Sequence, residues 1–124
     1  MILIVDDNIE WCKSMNQYIK MLMPYEEIIE CYKGLEAIRI YEIIKPGLVL
    51  MDIEMDDLDG LKAARIIKEK YPDSKVVILT QYDDKYLREE ASSAGAFGYI
   101  TKDNLTPLKE ILTHFSNSRN QTGL

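Results

Sequence analysis

Ile2-Leu3-Ile4-Val5-Asp6-Asp7 and Leu48-Val49-Leu50-Met51-Asp52 are the stretches that decide how this chain folds. Each is a short apolar run that ends on acid. Such a run, without polar alternation, suits a strand buried on both faces. Two further runs share the design: Val76-Val77-Ile78-Leu79 leads into Thr80, and Phe97-Gly98-Tyr99-Ile100-Thr101 leads into Lys102. Strands buried on both faces belong to parallel sheets with helices on either side. Their C-terminal ends then lie along one edge, where open α/β sheets bind ligands. Asp6, Asp7, Asp52, Thr80 and Lys102 are therefore expected to meet in one crevice.

Working outward, helical segments separate these runs. From about Asn8 to Met23, Trp11, Met15, Tyr18, Ile19 and Leu22 recur at three- and four-residue steps, with Asn8 as N-cap and Pro24 as stop. Glu26 to Tyr32 reads as a weaker edge strand. Gly34 to Ile44 reads as a second helix with Leu35, Ile38 and Tyr41 inward. Asp59-Gly60 opens a third helix through Lys70, and Tyr71-Pro72 ends it. Asp83 or Asp84 caps a fourth helix to Ala94, with Gly95 at C′. Thr106-Pro107 reads as N-cap and N1 of a fifth helix reaching about Phe115. Five βα units without repeats give a three-layer α/β/α sandwich, flavodoxin-like, with right-handed crossovers and parallel strand order 2-1-3-4-5. That order makes the first and third strands neighbours, so Asp6-Asp7 and Asp52 share the switch point.

The bulk properties narrow the classes. A chain of 124 residues suits one domain: residues 1–115 as the folded unit, and 116–124 as a polar tail or the start of a linker. A net charge of −6 argues against this segment holding nucleic acid by itself. No apolar stretch approaches the ~20 residues of a membrane span, and no signal peptide follows Met1, so a cytoplasmic location is expected. Cys12 and Cys31 fit no metal spacing and read as two reduced, partly buried thiols. His114 stands alone and provides no zinc set.

The chemistry follows from the charges. Crowded carboxylates resist joint ionisation, and a divalent cation relieves the repulsion. Mg²⁺, or Mn²⁺ in its place, takes one or two carboxylates and keeps waters for a phosphate. Asp52 stands alone at the end of the most buried strand and suits a nucleophile; attack on phosphorus would give an acyl phosphate. The metal, Lys102 and the Thr80 hydroxyl could then face the three oxygens of a transferring phosphoryl group.

These residues resemble the receiver domain of bacterial two-component response regulators. The likeness runs from about Met1 to Phe115 and is carried by Ile4-Val5-Asp6-Asp7-Asn8, Leu50-Met51-Asp52-Ile53-Glu54-Met55, Asp59-Gly60, Leu79-Thr80 and Ala94-Gly95-Ala96-Phe97-Gly98-Tyr99-Ile100-Thr101-Lys102-Asp103. The last stretch is most similar to receivers that carry a LuxR/NarL-type helix-turn-helix effector. The resemblance implies that Asp52 accepts phosphate from the phosphohistidine of a sensor histidine kinase. It implies that Asp7, Asp52 and the backbone carbonyl of Glu54 ligate Mg²⁺, with Asp6 acting mainly through water. Thr80 and Lys102 would hold the phosphoryl oxygens, and Tyr99 would be the switch aromatic. The output surface would be the fourth helix, fifth strand and fifth helix, through which a homodimer could also form. DNA binding would come from a C-terminal domain beyond this segment, and the output would be transcription regulation.

Three positions depart from the family's pattern. Asp56 replaces the usual proline after Met55, adding charge and losing stiffness. Gln81 follows Thr80 where a small residue is usual. Asp103 replaces the common proline after Lys102, where the family often has a cis peptide; without proline that would cost ~2.5–4 kcal/mol. Glu54 and Tyr82 occupy places that flank the path of the hydrolytic water in the family, and the bulk of Tyr82 predicts slow self-dephosphorylation. Two rival readings are a phosphate-independent interaction module and a phosphohydrolase with an aspartyl nucleophile. The second needs an Asp where Glu54 stands.

Overall fold

The structure is a computed structural model that describes the backbone of residues 1–122 and the side chains of residues 1–116. Five strands, β1 (Ile2–Val5), β2 (Ile28–Cys31), β3 (Leu48–Met51), β4 (Val76–Thr80) and β5 (Gly98–Thr101), form one sheet in the order β2-β1-β3-β4-β5. All four neighbouring pairs are parallel. Helices α1 (Ile9–Leu22), α2 (Gly34–Ile44), α3 (Gly60–Lys70), α4 (Lys85–Ser93) and α5 (Thr106–Thr122) alternate with them. The expected fold class and strand order are the observed ones.

Alternation along the strands explains the three layers, because successive side chains point to opposite faces. Leu3, Val5, Val49, Met51, Val76 and Ile78 form one buried cluster with Ala37 and Tyr41 of α2 and Ala63, Ala64 and Ile67 of α3. Ile2, Ile4, Leu48, Leu50, Val77 and Leu79 form the other with Cys12, Met15 and Ile19 of α1 and Leu108 and Leu112 of α5. Both faces are thus covered, as the apolar runs of β1, β3 and β4 require. Among the described residues no helix is long and apolar enough to cross a membrane.

The helix termini match their sequence signals closely. Asn8, Asp59 and Asp84 accept from the backbone N–H of Trp11, Leu61 and Leu87. Gly95 closes α4 with φ +85°, a left-handed conformation that glycine adopts without a Cβ penalty. Four details differ from expectation. Leu35 is half exposed, and Ala37 takes the inward place, because the buried stripe of α2 runs through Gly34, Ala37 and Tyr41. Leu22 lies outward at the end of α1. At α5 the side-chain acceptor is Asn104, which takes the N–H of Thr106, so Thr106 is the first helical residue and not the cap. The helix continues to Thr122 where an end near Phe115 was expected; no glycine or proline interrupts it before Gly123.

Candidate functional site

β1, β3, β4 and β5 end at one edge, and the expected residues follow directly from their last hydrogen bonds. The Asp6 N–H donates to the Cys31 carbonyl and the Asp52 N–H to the Val5 carbonyl, each extending the ladder one residue past its strand. The Lys102 N–H donates to the Thr80 carbonyl at 2.8 Å, which ties the lysine to the threonine. The chain leaves β1 toward β2 and returns to β3 on the other side. The crevice lies at that reversal, where ligands of open α/β sheets bind. Its volume is about 490 Å³, and Asp6, Asp7, Asp52, Glu54, Asp56 and Lys102 are among its lining residues.

Asp6, Asp7 and Asp52 each offer an oxygen within 4.8 Å of the others. Asp6 and Asp52 are buried and Asp7 is exposed. Asp6 uses Oδ1 to accept the Asn8 N–H at 2.9 Å and presents Oδ2 to Lys102 Nζ at 2.7 Å. Asp52 accepts the N–H of Ile53 on Oδ1, and its Oδ2 faces Lys102 Nζ at 3.5 Å. Burial, reinforced by the charge of Asp6, pushes the Asp52 carboxyl up to about 6, against the opposing pull of Lys102. Burial and the charges of Asp6 and Asp56 raise Asp7 as well. One lysine therefore does not neutralise this group of acids. A hard divalent cation fits the donor set: clustered carboxylate oxygens, one of them open to solvent, with no histidine or thiolate ligand in the group.

Thr80 is fully buried, and its Oγ1 accepts from the Tyr82 N–H at 3.4 Å. Tyr99 is half-buried; its hydroxyl donates to the Tyr82 carbonyl at 2.6 Å, and the Arg88 guanidinium stacks 4.6 Å from its ring centre. Gln81 lines the crevice and is exposed. Asp103 does not bring a cis peptide: none occurs among the described residues. Cys12 is buried, donates to the Asp6 carbonyl, and has a thiol pushed up to about 12 by burial, so both it and buried Cys31 stand outside the chemistry.

Sequence reasoning missed three supports of the site. A Cβ on Gly60 would lie 1.7 Å from the Asp52 carbonyl oxygen, so only glycine lets α3 begin against the end of β3. The Asp57 carboxylate accepts from the N–H groups of Gly34 and Leu35 at 3.0 Å each, clamping the loop after β3 to the start of α2. The one available signal was that Lys33, before Gly34, is no capping residue. The third support is Trp11, whose ring lies 4.8 Å from Lys102 Nζ although its spacing marked it for the core.

Comparison with known proteins agrees with this architecture. The chain is 36% identical over 102 residues to the transcriptional regulatory protein YdfI of Bacillus subtilis, covering 82% of this chain and 47% of that protein. It thus spans about half the length of the first curated relatives it matches. Among solved structures, a LuxR-family DNA-binding response regulator from Staphylococcus aureus superposes with a TM-score of 0.79 at 25% identity, covering 92% of this chain and 96% of that one. The response regulator TrrA of Thermotoga maritima, solved in complex with Mg²⁺-BeF, has a TM-score of 0.79 at 31% identity over 92% of this chain and 96% of its own. The family model for the response regulator receiver domain matches residues 2–113. The chain belongs to the response regulator receiver domain family, with relatives of the LuxR type.

Proposed function

We propose that this receiver accepts a phosphoryl group on Asp52 from a sensor histidine kinase, with Mg²⁺ or Mn²⁺ as cofactor, and thereby switches an output surface. The observation that carries the reading is Asp52 itself: a buried carboxylate facing an ammonium at 3.5 Å, beside two further carboxylates. A carboxylate oxygen of Asp52 attacks phosphorus, the P–N bond to the donor imidazole breaks, and the imidazole leaves. The product is an acyl phosphate. Asp7, Asp52 and the Glu54 carbonyl would hold the cation, with Asp6 acting through water. When bound, that cation supplies neutralising charge to a phosphoryl oxygen.

The remaining roles belong to the chain's own groups. Lys102 meets a second phosphoryl oxygen and the Thr80 hydroxyl a third. Phosphorylation replaces a monoanion with about two negative charges, and only one arrangement of Thr80 and Lys102 can contact the new oxygens. That differential contact is what shifts a two-state equilibrium. Thr80 and Tyr99 are already linked through Tyr82, whose N–H binds one and whose carbonyl accepts from the other. The shift would reach the face made by α4, β5 and α5, which could serve an effector or a second copy. The lengths and names of relatives support a transcription regulator, cytoplasmic on this reading, in which residues 1–115 are the receiver and 116–124 lead toward a helix-turn-helix domain. DNA would be bound by that domain and not by this acidic segment.

Incubation with acetyl phosphate and Mg²⁺ should add the mass of one phosphoryl group to the parent and none to an Asp52→Asn variant. Equal labelling of the variant would show that the acceptor lies elsewhere.

A further inference from the structure

Trp11 is the single tryptophan of the chain and sits at the start of α1, four residues after Asp7. Its backbone N–H donates to the Asn8 cap at 3.0 Å, so its place is fixed by the same loop that carries Asp6 and Asp7. It is only partly buried, with part of its surface packed on the cluster around Cys12, Met15 and Ile4. Its ring faces Lys102 Nζ at 4.8 Å. The same nitrogen is 2.7 Å from Asp6 and 3.5 Å from Asp52. An ammonium on a flexible four-carbon stem has no fixed direction of its own. Asp6, its nearer anion, draws it off Asp52. An aromatic face attracts a cation through the ring quadrupole and does so without offering a competing anion.

We propose that Trp11 is a positioning residue for Lys102: its ring face keeps the ammonium within reach of an oxygen on a phosphoryl group carried by Asp52. The proposal rests on the phosphoacceptor reading of Asp52. Phosphoryl oxygens do not touch Trp11; its effect passes through the lysine. A tryptophan that merely fills space would be replaceable by any apolar side chain of fair size. A positioning tryptophan is replaceable only by another aromatic face.

Two measurements on the intact chain test this. In NMR spectra, the ε-methylene protons of Lys102 should resonate upfield of those of lysines that face no ring, a group that leaves out Lys45 and Lys70 over Tyr71 and Lys75 over Phe97. That displacement should vanish in Trp11→Leu and largely persist in Trp11→Phe. Titration with beryllofluoride and Mg²⁺ should then require about two- to thirtyfold more beryllofluoride for half-saturation in Trp11→Leu, the range a cation–π contact spans. Trp11→Phe should restore most of the affinity, and a Trp11→Leu/Lys102→Met double variant should bind no more weakly than Lys102→Met. An undisplaced Lys102 resonance overturns the contact. A displaced resonance with equal affinity in parent and Trp11→Leu overturns the positioning role. A parent with the displaced resonance that binds no beryllofluoride overturns the phosphoacceptor reading, and the task given to Trp11 falls with it.

Discussion

The Tyr82 hydroxyl donates a 2.7 Å hydrogen bond to Oε1 of Glu54 at the mouth of the crevice. The two side chains come from the loops after β4 and β3; Glu54 itself, and Gln81 next to Tyr82, line the crevice with Asp52. The receiver resemblance puts both side chains beside the path of the water that would hydrolyse an acyl phosphate on Asp52. Tyr82→Ala removes the ring and the bridge together and should shorten the lifetime of the phosphorylated form by on the order of tenfold, about 1.4 kcal/mol of barrier. Tyr82→Phe keeps the ring and should lie between. Decay of the labelled protein after removal of the phosphodonor measures this; an alanine variant as slow as the parent would count against the barrier.

Asp52 should make the folded state less stable at neutral pH than at mildly acidic pH. Its carboxyl titrates near 6 in the folded chain, against an ordinary value of 3.8. The folded state therefore holds the proton more tightly than the unfolded state between these values. Stability falls as pH rises through that window, by roughly 3 kcal/mol at most. In a chelator, Asp52→Asn should raise the melting temperature at about pH 7.5 by several degrees, with the gain disappearing below the lower value. A gain of equal size at both pH values would contradict the assignment.

Divalent cations should act on the same imbalance. Held as proposed, Mg²⁺ would meet only the folded arrangement of Asp6, Asp7 and Asp52, so it should raise the melting temperature of the parent in a concentration-dependent way. Asp7→Asn removes the exposed donor while leaving the buried pair intact, and should abolish most of that rise. Equal Mg²⁺ stabilisation in this variant would move the cation elsewhere.

Asp57 should stabilise the fold by capping α2 from a distance. Hydrogen bonds from Leu35 and Gly34 hold its carboxyl below the usual range. A depressed folded value means that its stabilisation is present above 3.8 and is lost as pH falls through the depressed value. Asp57→Ala should therefore melt earlier than the parent at neutral pH and alike in strong acid. It should also weaken Mg²⁺ binding, because the loop from Glu54 to Asp57 loses its clamp where Asp56 replaces a stiffening proline.

Among the described glycines, Gly60 should tolerate an added methyl least. The added Cβ meets backbone, the Asp52 carbonyl oxygen at 1.7 Å, so no side chain can swing aside. The start of α3 and the end of β3 must part, and Asp52 must move with them. Loss of Mg²⁺-dependent stabilisation, even where the variant still folds, is the expected readout; Gly98→Ala, whose added Cβ meets side-chain carbons no nearer than 3.4 Å, is the control.

The sheet and the site's donor set were legible in the sequence because burial on both faces leaves an uninterrupted apolar run. The residue after such a run must then lie at the sheet edge. Asp6, Asp52, Thr80 and Lys102 are all placed by that rule. Helix bounds were legible where a cap and a breaker both stand in the sequence, as at Asp59 and Pro72. They were not at α5, where Ser, Asn and Gln carry little signal either way. Leu35 misled because apolar residues also occur on exposed faces, while Ala37, smaller and less conspicuous, fits where α2 approaches the sheet. Asp57, Trp11 and the contact behind Gly60 depend on distances between segments far apart in sequence, and no local pattern records them.

The central claim, that Asp52 takes the phosphoryl group, is tested most directly by locating the bond. The protein is treated with acetyl phosphate and Mg²⁺, quenched, reduced with borohydride and digested. An acyl phosphate on Asp52 is reduced to homoserine at that position, and peptide mass spectrometry should find the conversion there and not at Asp6, Asp7 or Asp56. Homoserine at any other aspartate, or none in a protein that has gained a phosphoryl group, would contradict the account.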